Sequence, residues 1–177
     1  MTFPLAGFDL IHASPPCQGY SRAVTSSDSR YVPTRGRAEP RLIEPLRTRL
    51  IAAGIPYVIE NVYGARFALC HPVLLCGTMF GLPIARHRLF ESSLSLYPPA
   101  HPACRGVARR YADTNGIEYR DMSVTGKGRH AGTANRWRIL LGMDRMMRQH
   151  DYSEAIPPAY TEWIAATQWG DTRWPNK

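Results

Sequence analysis

Apolar positions in this chain fall in short runs broken by Gly and Pro, with only a few longer helical stripes. The run at 8–13, Phe-Asp-Leu-Ile-His-Ala, has the length of a buried strand, and Pro15 and Pro16 end it by fixing φ and removing backbone donors. Tyr57-Val58-Ile59 reads as a second strand, and Val73-Leu74-Leu75-Cys76 and Arg88-Leu89-Phe90-Glu91 as two more. Between the first two, Leu42, Ile43, Leu46 and Leu50 space as one helix face. Gly54 and Pro56 stop that helix, and Pro45 fits it only in the first turn. Strand, helix and strand make a βαβ unit and predict a parallel pair. A helix is predicted over 137–147, weakened in the middle by Gly142. Tyr160, Trp163, Ile164 and Thr167 form a last helical stripe of core type. Residues 19–40 read as a long polar loop, 92–135 as irregular and Gly-rich, and 169–174 as a tail. No internal repeat is present.

The chemistry gathers at strand ends. Ser14-Pro15-Pro16-Cys17-Gln18-Gly19-Tyr20-Ser21 places a thiol on a stiff turn after the first strand, the edge where open α/β sheets carry their sites. A Cys so held is a candidate nucleophile, against the alternative of a small buried hydrophobe. Glu60-Asn61-Val62 ends the second strand, and Arg86 and Arg88 flank His87. Taken singly, Glu60 reads equally as a cap or an arginine partner, Asn61 as the organiser of its own turn, and the arginines as a solvated strand edge.

Taken together and in this order, these segments resemble the DNA (cytosine-5-)-methyltransferase family in its small bacterial and phage form, over 8–164. Cys17 matches the family nucleophile, with Pro16, Gln18 and Ser21 around it. Glu60-Asn61-Val62 matches the catalytic acidic motif. Arg86 and Arg88, followed by Leu89 and Phe90, match the paired arginines. Ala155-Ile156-Pro157-Pro158 with Tyr160-Thr161-Glu162-Trp163-Ile164 is similar to the last motif, which folds back onto the cofactor half. The resemblance implies a partial Rossmann-like α/β fold with a mostly parallel sheet, truncated at the N-terminus, and a small irregular recognition region. Its catalytic portion would be 1–91, a short target-recognition-like region 92–135, and helices returning to the core 136–177.

It implies a Cys17 thiolate adding to carbon 6 of a flipped cytosine, and Glu60, its pKa raised by burial, supporting ring nitrogen 3. Arg86 and Arg88, on one face of an extended run, would hold the ring oxygen and the Cys17 loop or a phosphate. Asn61 and Val62 would line the substrate, and Pro15, Ala155 and Ile156 the cofactor, S-adenosylmethionine. The family's Gly-rich turn, Asp-x-Phe-x-Gly-x-Gly-Gly, has no counterpart; Ser153-Glu154 replaces Gly-Asn, and Ile84 stands where the family has Gln. The cofactor site is therefore expected to be incomplete, leaving either an enzyme needing a segment from a second chain or a non-catalytic DNA-binding protein. Thymidylate synthases share a Pro-Pro-Cys nucleophile, but they carry His where this chain has Gln18 and lack the Glu-Asn-Val and Arg-x-Arg partners.

Composition adds to this in three ways. The 177 residues suit one domain with a small lobe, and 44% apolar content suffices for a core. A formal net charge of +8 favours an acidic partner, with DNA leading. Arg35-Gly36-Arg37, Arg109-Arg110, Lys127-Gly128-Arg129-His130 and Arg136-Trp137-Arg138 are the basic clusters, interleaved with Gly, Trp and Tyr as phosphate- and base-contacting loops are. Without a signal peptide or an apolar run near membrane-spanning length, a cytoplasmic protein with reduced thiols and no membrane contact is expected. Cys70, His71, Cys76, His101 and Cys104 are zinc-competent types, but Cys-x5-Cys and His-x2-Cys match common zinc frames poorly, so no metal is expected.

Overall fold

The computed structural model describes residues 4–20, 40–122, 124, 133–145 and 147–169. Among these it is a mixed α/β structure with four strands in one sheet and five helices. The strands are β1 (Ile11–Ala13), β2 (Tyr57–Asn61), β3 (Val73–Leu75) and β4 (Arg88–Ser92), in the order β1-β2-β4-β3. The helices are α1 (Ile43–Ala53), α2 (Cys104–Thr114), α3 (Ala134–Leu141), α4 (Gln149–Glu154) and α5 (Pro158–Trp169). Two units divide the chain: Met1–Leu74 with Arg88–Leu96, and Leu75–His87 with Tyr97–Lys177. No helix among the described residues is long and apolar enough to cross a membrane.

In the first unit the predicted βαβ unit forms. β1 and β2 are parallel, with Ile11 opposite Tyr57 and Ala13 opposite Ile59. α1 starts at Ile43, which puts Pro45 in its first turn. It stops at Gly54, whose φ of 67° is left-handed and strained for any residue with a Cβ. Strand side chains alternate between faces. Ile11, Ala13, Tyr57, Ile59 and Leu89 share one face and pack with Ile43, Leu46 and Leu50 of α1. His12, Val58, Glu60, Arg88 and Phe90 lie on the other, where the His12 ring stacks on Phe90 at 6.3 Å.

The sheet is mixed, which corrects the expectation of a mostly parallel one: β2 and β4 run antiparallel, with Glu60 opposite Phe90 and Asn61 opposite Leu89. A parallel neighbour needs a long crossover, usually a helix. Between β2 and β4 the chain has β3 and the one-turn 3-10 helices Tyr63–Ala65 and Gly77–Phe80, and no α-helix to make that crossover.

Glu91 of β4 faces the α1 side and is only 2% exposed. Arg47 grips it with both arms, Nε to Oε1 at 2.6 Å and Nη2 to Oε2 at 2.7 Å, while Nη2 also donates to the Ala68 carbonyl. The Cys70 N–H donates to Oε2 at 2.7 Å and the Tyr57 hydroxyl to Oε1 at 3.4 Å. The hydrogen bond to Glu91 raises the Arg47 pKa above its ordinary range. Removing one member of such a pair leaves a buried charge, at a cost of about 3–5 kcal/mol. Glu91→Ala is therefore expected to lower unfolding free energy in urea by that amount, and Arg47→Met with Glu91→Leu to recover much of it. A loss under about 1 kcal/mol in the single variant would show that the pair does not hold α1 to the sheet.

The second unit has its own core of Ile84, Ala108, Ala112, Trp137, Leu140, Leu141 and Tyr152. Three expectations change here. Residues 92–135 are not uniformly irregular, since α2 lies inside them. Its inner face rests on Ala108 and Ala112, which carry little hydrophobic signal, and Gly106 reads locally as a breaker. α3 ends at Gly142, φ 66°, so this glycine caps the helix rather than weakening its middle. Trp137 is 1% exposed and belongs to the core, not to a base-contacting cluster. In α5 the predicted stripe is buried at Tyr160, Trp163 and Ile164, and the Phe80 ring packs on Tyr160 at 5.3 Å.

Candidate active site

Cys17 stands just past the carboxyl end of β1, half-buried, in a turn closed by the 3-10 helix Gln18–Tyr20. The Tyr20 N–H donates to the Cys17 carbonyl at 2.9 Å. Pro15 is buried, while Pro16 and Gln18 are exposed beside the thiol. Ser21 lies outside the described residues. The turn is pinned from β2: Asn61 Nδ2 donates to the Pro15 carbonyl at 2.9 Å, and Asn61 Oδ1 accepts the Val62 N–H at 3.0 Å. Asn61 is 1% exposed, so its amide orders its own strand end and the Cys17 turn at once. Val62 is half-buried next to it.

Glu60 and Arg88 meet on the sheet face opposite α1. Glu60 is registered against Phe90, and Arg88, two residues from Phe90, is its diagonal neighbour, within reach of a long side chain. Arg88 Nε lies 3.0 Å from Glu60 Oε1, with both side chains largely buried. The structure therefore brings Glu60, Asn61, Arg88 and the turn before Cys17 to the same edge of one unit. A thiol, a buried carboxyl group and a guanidinium that orients it can support addition to an electron-poor ring.

Arg86 is placed differently. It precedes β4 instead of alternating with Arg88 along one extended face. Its Nη1 donates to the Val124 carbonyl at 2.9 Å and its Nη2 to the Ser153 carbonyl at 2.7 Å, while the Tyr160 hydroxyl donates to its own carbonyl at 2.6 Å. Those contacts tie segments of the second unit together, because a buried guanidinium there can satisfy several carbonyls at once. Of the residues named for S-adenosylmethionine, Pro15 lies in the first unit and Ala155 and Ile156, the link between α4 and α5, in the second. All three side chains are apolar, and the Pro15 carbonyl already accepts from Asn61. None of the three side chains offers a donor or a charge to a sulfonium amino acid.

A pocket of about 690 Å³ beside the Cys17 turn was not foreseen. Tyr20, Arg41, Arg47, Arg66, Phe67 and Cys70 contribute to its lining. The Arg41 guanidinium lies 5.9 Å from the Tyr20 ring centre, and Arg66 lies 4.0 Å from that of Phe67, which is 84% exposed. An exposed aromatic face with an arginine over it, as at Phe67, suits a stacked base and a phosphate. Isolated arginines carried no cluster signal in the sequence; only the adjacency Arg66-Phe67 pointed there. Among the clusters that did, Arg109 and Arg110 are exposed on α2, whereas Arg138 donates to Asn135 and to the Met143 carbonyl and closes α3. Residues 35–37 and 127–130 lie outside the described residues.

A group of metal-competent side chains gathers in the second unit: Cys76, His87, His101 and Cys104 have ligand atoms all within 4.8 Å of one another. Three of them are among the zinc-competent residues of the sequence; Cys70 and His71 are not in the group, and His87, the spacer between two arginines, is the addition.

No family model, no curated protein and no solved structure matches the chain.

Proposed function

We propose that the chain is the catalytic portion of a DNA cytosine-5 methyltransferase, with Cys17 as nucleophile, Glu60 as the acidic group and Arg88 as the residue that positions Glu60. The arrangement that supports this most is the turn before Cys17, fastened by Asn61 to the strand that carries the Glu60–Arg88 pair. A βαβ unit with its chemistry at the carboxyl edge also supports a partial Rossmann-like fold.

In the proposed step the Cys17 thiolate bonds to carbon 6 of a cytosine held outside the duplex. The carbon 5–carbon 6 electron pair shifts toward carbon 4 and ring nitrogen 3, where Glu60 gives or shares a proton. Water then protonates carbon 5, the hydroxide so formed takes the original hydrogen as a proton, and Cys17 departs as thiolate with the ring double bond restored and the nitrogen 3 proton returned to Glu60. This half of the chemistry exchanges the carbon 5 hydrogen and needs no methyl donor. S-adenosylmethionine is the donor the reading implies. Pro15, Ala155 and Ile156 offer it only apolar side chains. The same misfit favours a second reading, a DNA-holding protein that methylates only with a segment from a second chain.

Two measurements test the proposal. DNA tritiated at cytosine carbon 5 should lose tritium to water with the wild-type chain. Duplex affinity should fall with salt with a slope of about 0.9 log units per log unit for each phosphate contact, and Arg66→Ala should reduce that slope by about one. Binding that is flat from low to physiological salt would remove the nucleic-acid reading altogether.

A further inference from the structure

We propose that Cys76, His87, His101 and Cys104 bind a structural zinc ion. The four come from separate segments of one unit: the turn after β3, the residue before β4, the proline-rich stretch before α2, and the first residue of α2. Nothing in the hydrophobic packing requires two thiols and two imidazoles to converge on one point. A metal ion requires it.

Two of the spacings between ligand atoms match the edges of a zinc tetrahedron. Zinc–nitrogen bonds of about 2.0–2.1 Å and zinc–sulfur bonds of about 2.3 Å place neighbouring ligand atoms roughly 3.3–3.8 Å apart. His87 Nε2 and His101 Nε2 are 3.4 Å apart, and Cys104 Sγ and His87 Nε2 are 3.8 Å apart. The fourth ligand, Cys76, is within 4.8 Å of every other. A set of two sulfurs and two nitrogens suits zinc better than the harder divalent ions. Four protein ligands leave no open coordination position, which marks a structural site and not a catalytic one.

The surroundings are built for the same purpose. Cys76 is buried, and the Thr78 hydroxyl lies 3.3 Å from its sulfur, where it can donate to a bound thiolate. Gly77 follows, and a Cβ there would stand 2.5 Å from the Ile84 carbonyl oxygen. Only glycine allows the tight return that carries the chain from Cys76 back to His87. Binding would displace the protons of both thiols and hold the backbone at His87, the residue directly before Arg88. Hydrogen bonds among the same side chains also fit the His87–His101 and His87–Cys104 distances, and the cobalt spectrum below separates them from a metal site.

The test uses the full chain, purified under reducing conditions, loaded with zinc and then desalted. One zinc per chain is expected. Cobalt in its place should give the visible bands of a tetrahedral ion and a thiolate charge-transfer band, a readout on the wild type that no folding defect can mimic. His101→Ala, at an exposed position, and Cys104→Ser should each weaken zinc binding by at least about 10–100-fold, the cost of losing even an outer-shell partner. Cys70→Ser with His71→Ala should bind as the wild type does. The proposal is overturned by a zinc-free chain after loading, by an octahedral cobalt spectrum without thiolate character, by undiminished binding in both ligand variants, or by a Cys76–Cys104 disulfide in the reduced preparation.

Discussion

Cys17→Ala is expected to release no tritium from DNA labelled at cytosine carbon 5, and to form no covalent complex with DNA carrying a pyrimidine that traps a thiol at carbon 6. The loss should be complete, not graded. Exchange at carbon 5 is available only after carbon 6 has been attacked, and among the described residues no other side chain of this turn is a comparable nucleophile. Of the other cysteines, Cys70 is exposed in the pocket region of the same unit, while Cys76 and Cys104 lie in the metal-competent cluster of the other. The substitution removes one sulfur from a half-buried turn whose fastening runs through the backbone of Pro15 and the Asn61 amide, so the turn should persist. Salt-dependent DNA binding should persist with it, because the phosphate contact proposed for Arg66 does not involve the thiol. A trapped adduct on the variant, or an adduct mapped to Cys70, would remove Cys17 from the mechanism.

What the sequence could show and what it could not divide along a physical line. β1, α1 and β2 were readable because their signals are local: an apolar run closed by Pro15-Pro16, a leucine face, and the Gly54 stop. Cys17, Glu60 and Arg88 stand out in the sequence because their order along the chain resembles a known constellation, and of these the structure brings Glu60 and Arg88 to 3.0 Å. The direction of β4 was not readable, since strand patterns look the same in either sense and only the lack of a crossover helix decides it. The Arg47–Glu91 pair joins residues 44 positions apart, and nothing near either residue advertises the other. Arg86 and Arg88 look equivalent in sequence, yet one is spent on carbonyls of the second unit and the other on Glu60. The metal-competent cluster was hidden for the same reason: its ligands converge through tertiary folding, and His87 carries no spacing signal with Cys76 or with Cys104.

Glu60→Gln is expected to slow tritium release by about 10²–10⁴-fold, the usual worth of a positioned general acid. The side chain keeps its size and its place on β2, between strands paired on both sides, so the fold should hold. DNA affinity should stay within a few-fold, because Glu60 is buried away from the exposed arginines and contributes no phosphate contact. What the amide cannot do is give up a proton where electron density arrives at ring nitrogen 3. Arg88 supplies the second half of the test. If its guanidinium acts by holding the Glu60 carboxyl group at 3.0 Å, then Arg88→Gln should be costly alone and add little to Glu60→Gln. Independent, additive losses would mean that Arg88 touches the substrate itself. Wild-type exchange in Glu60→Gln would mean that the buried pair is a strand fastening and that the acidic group lies elsewhere.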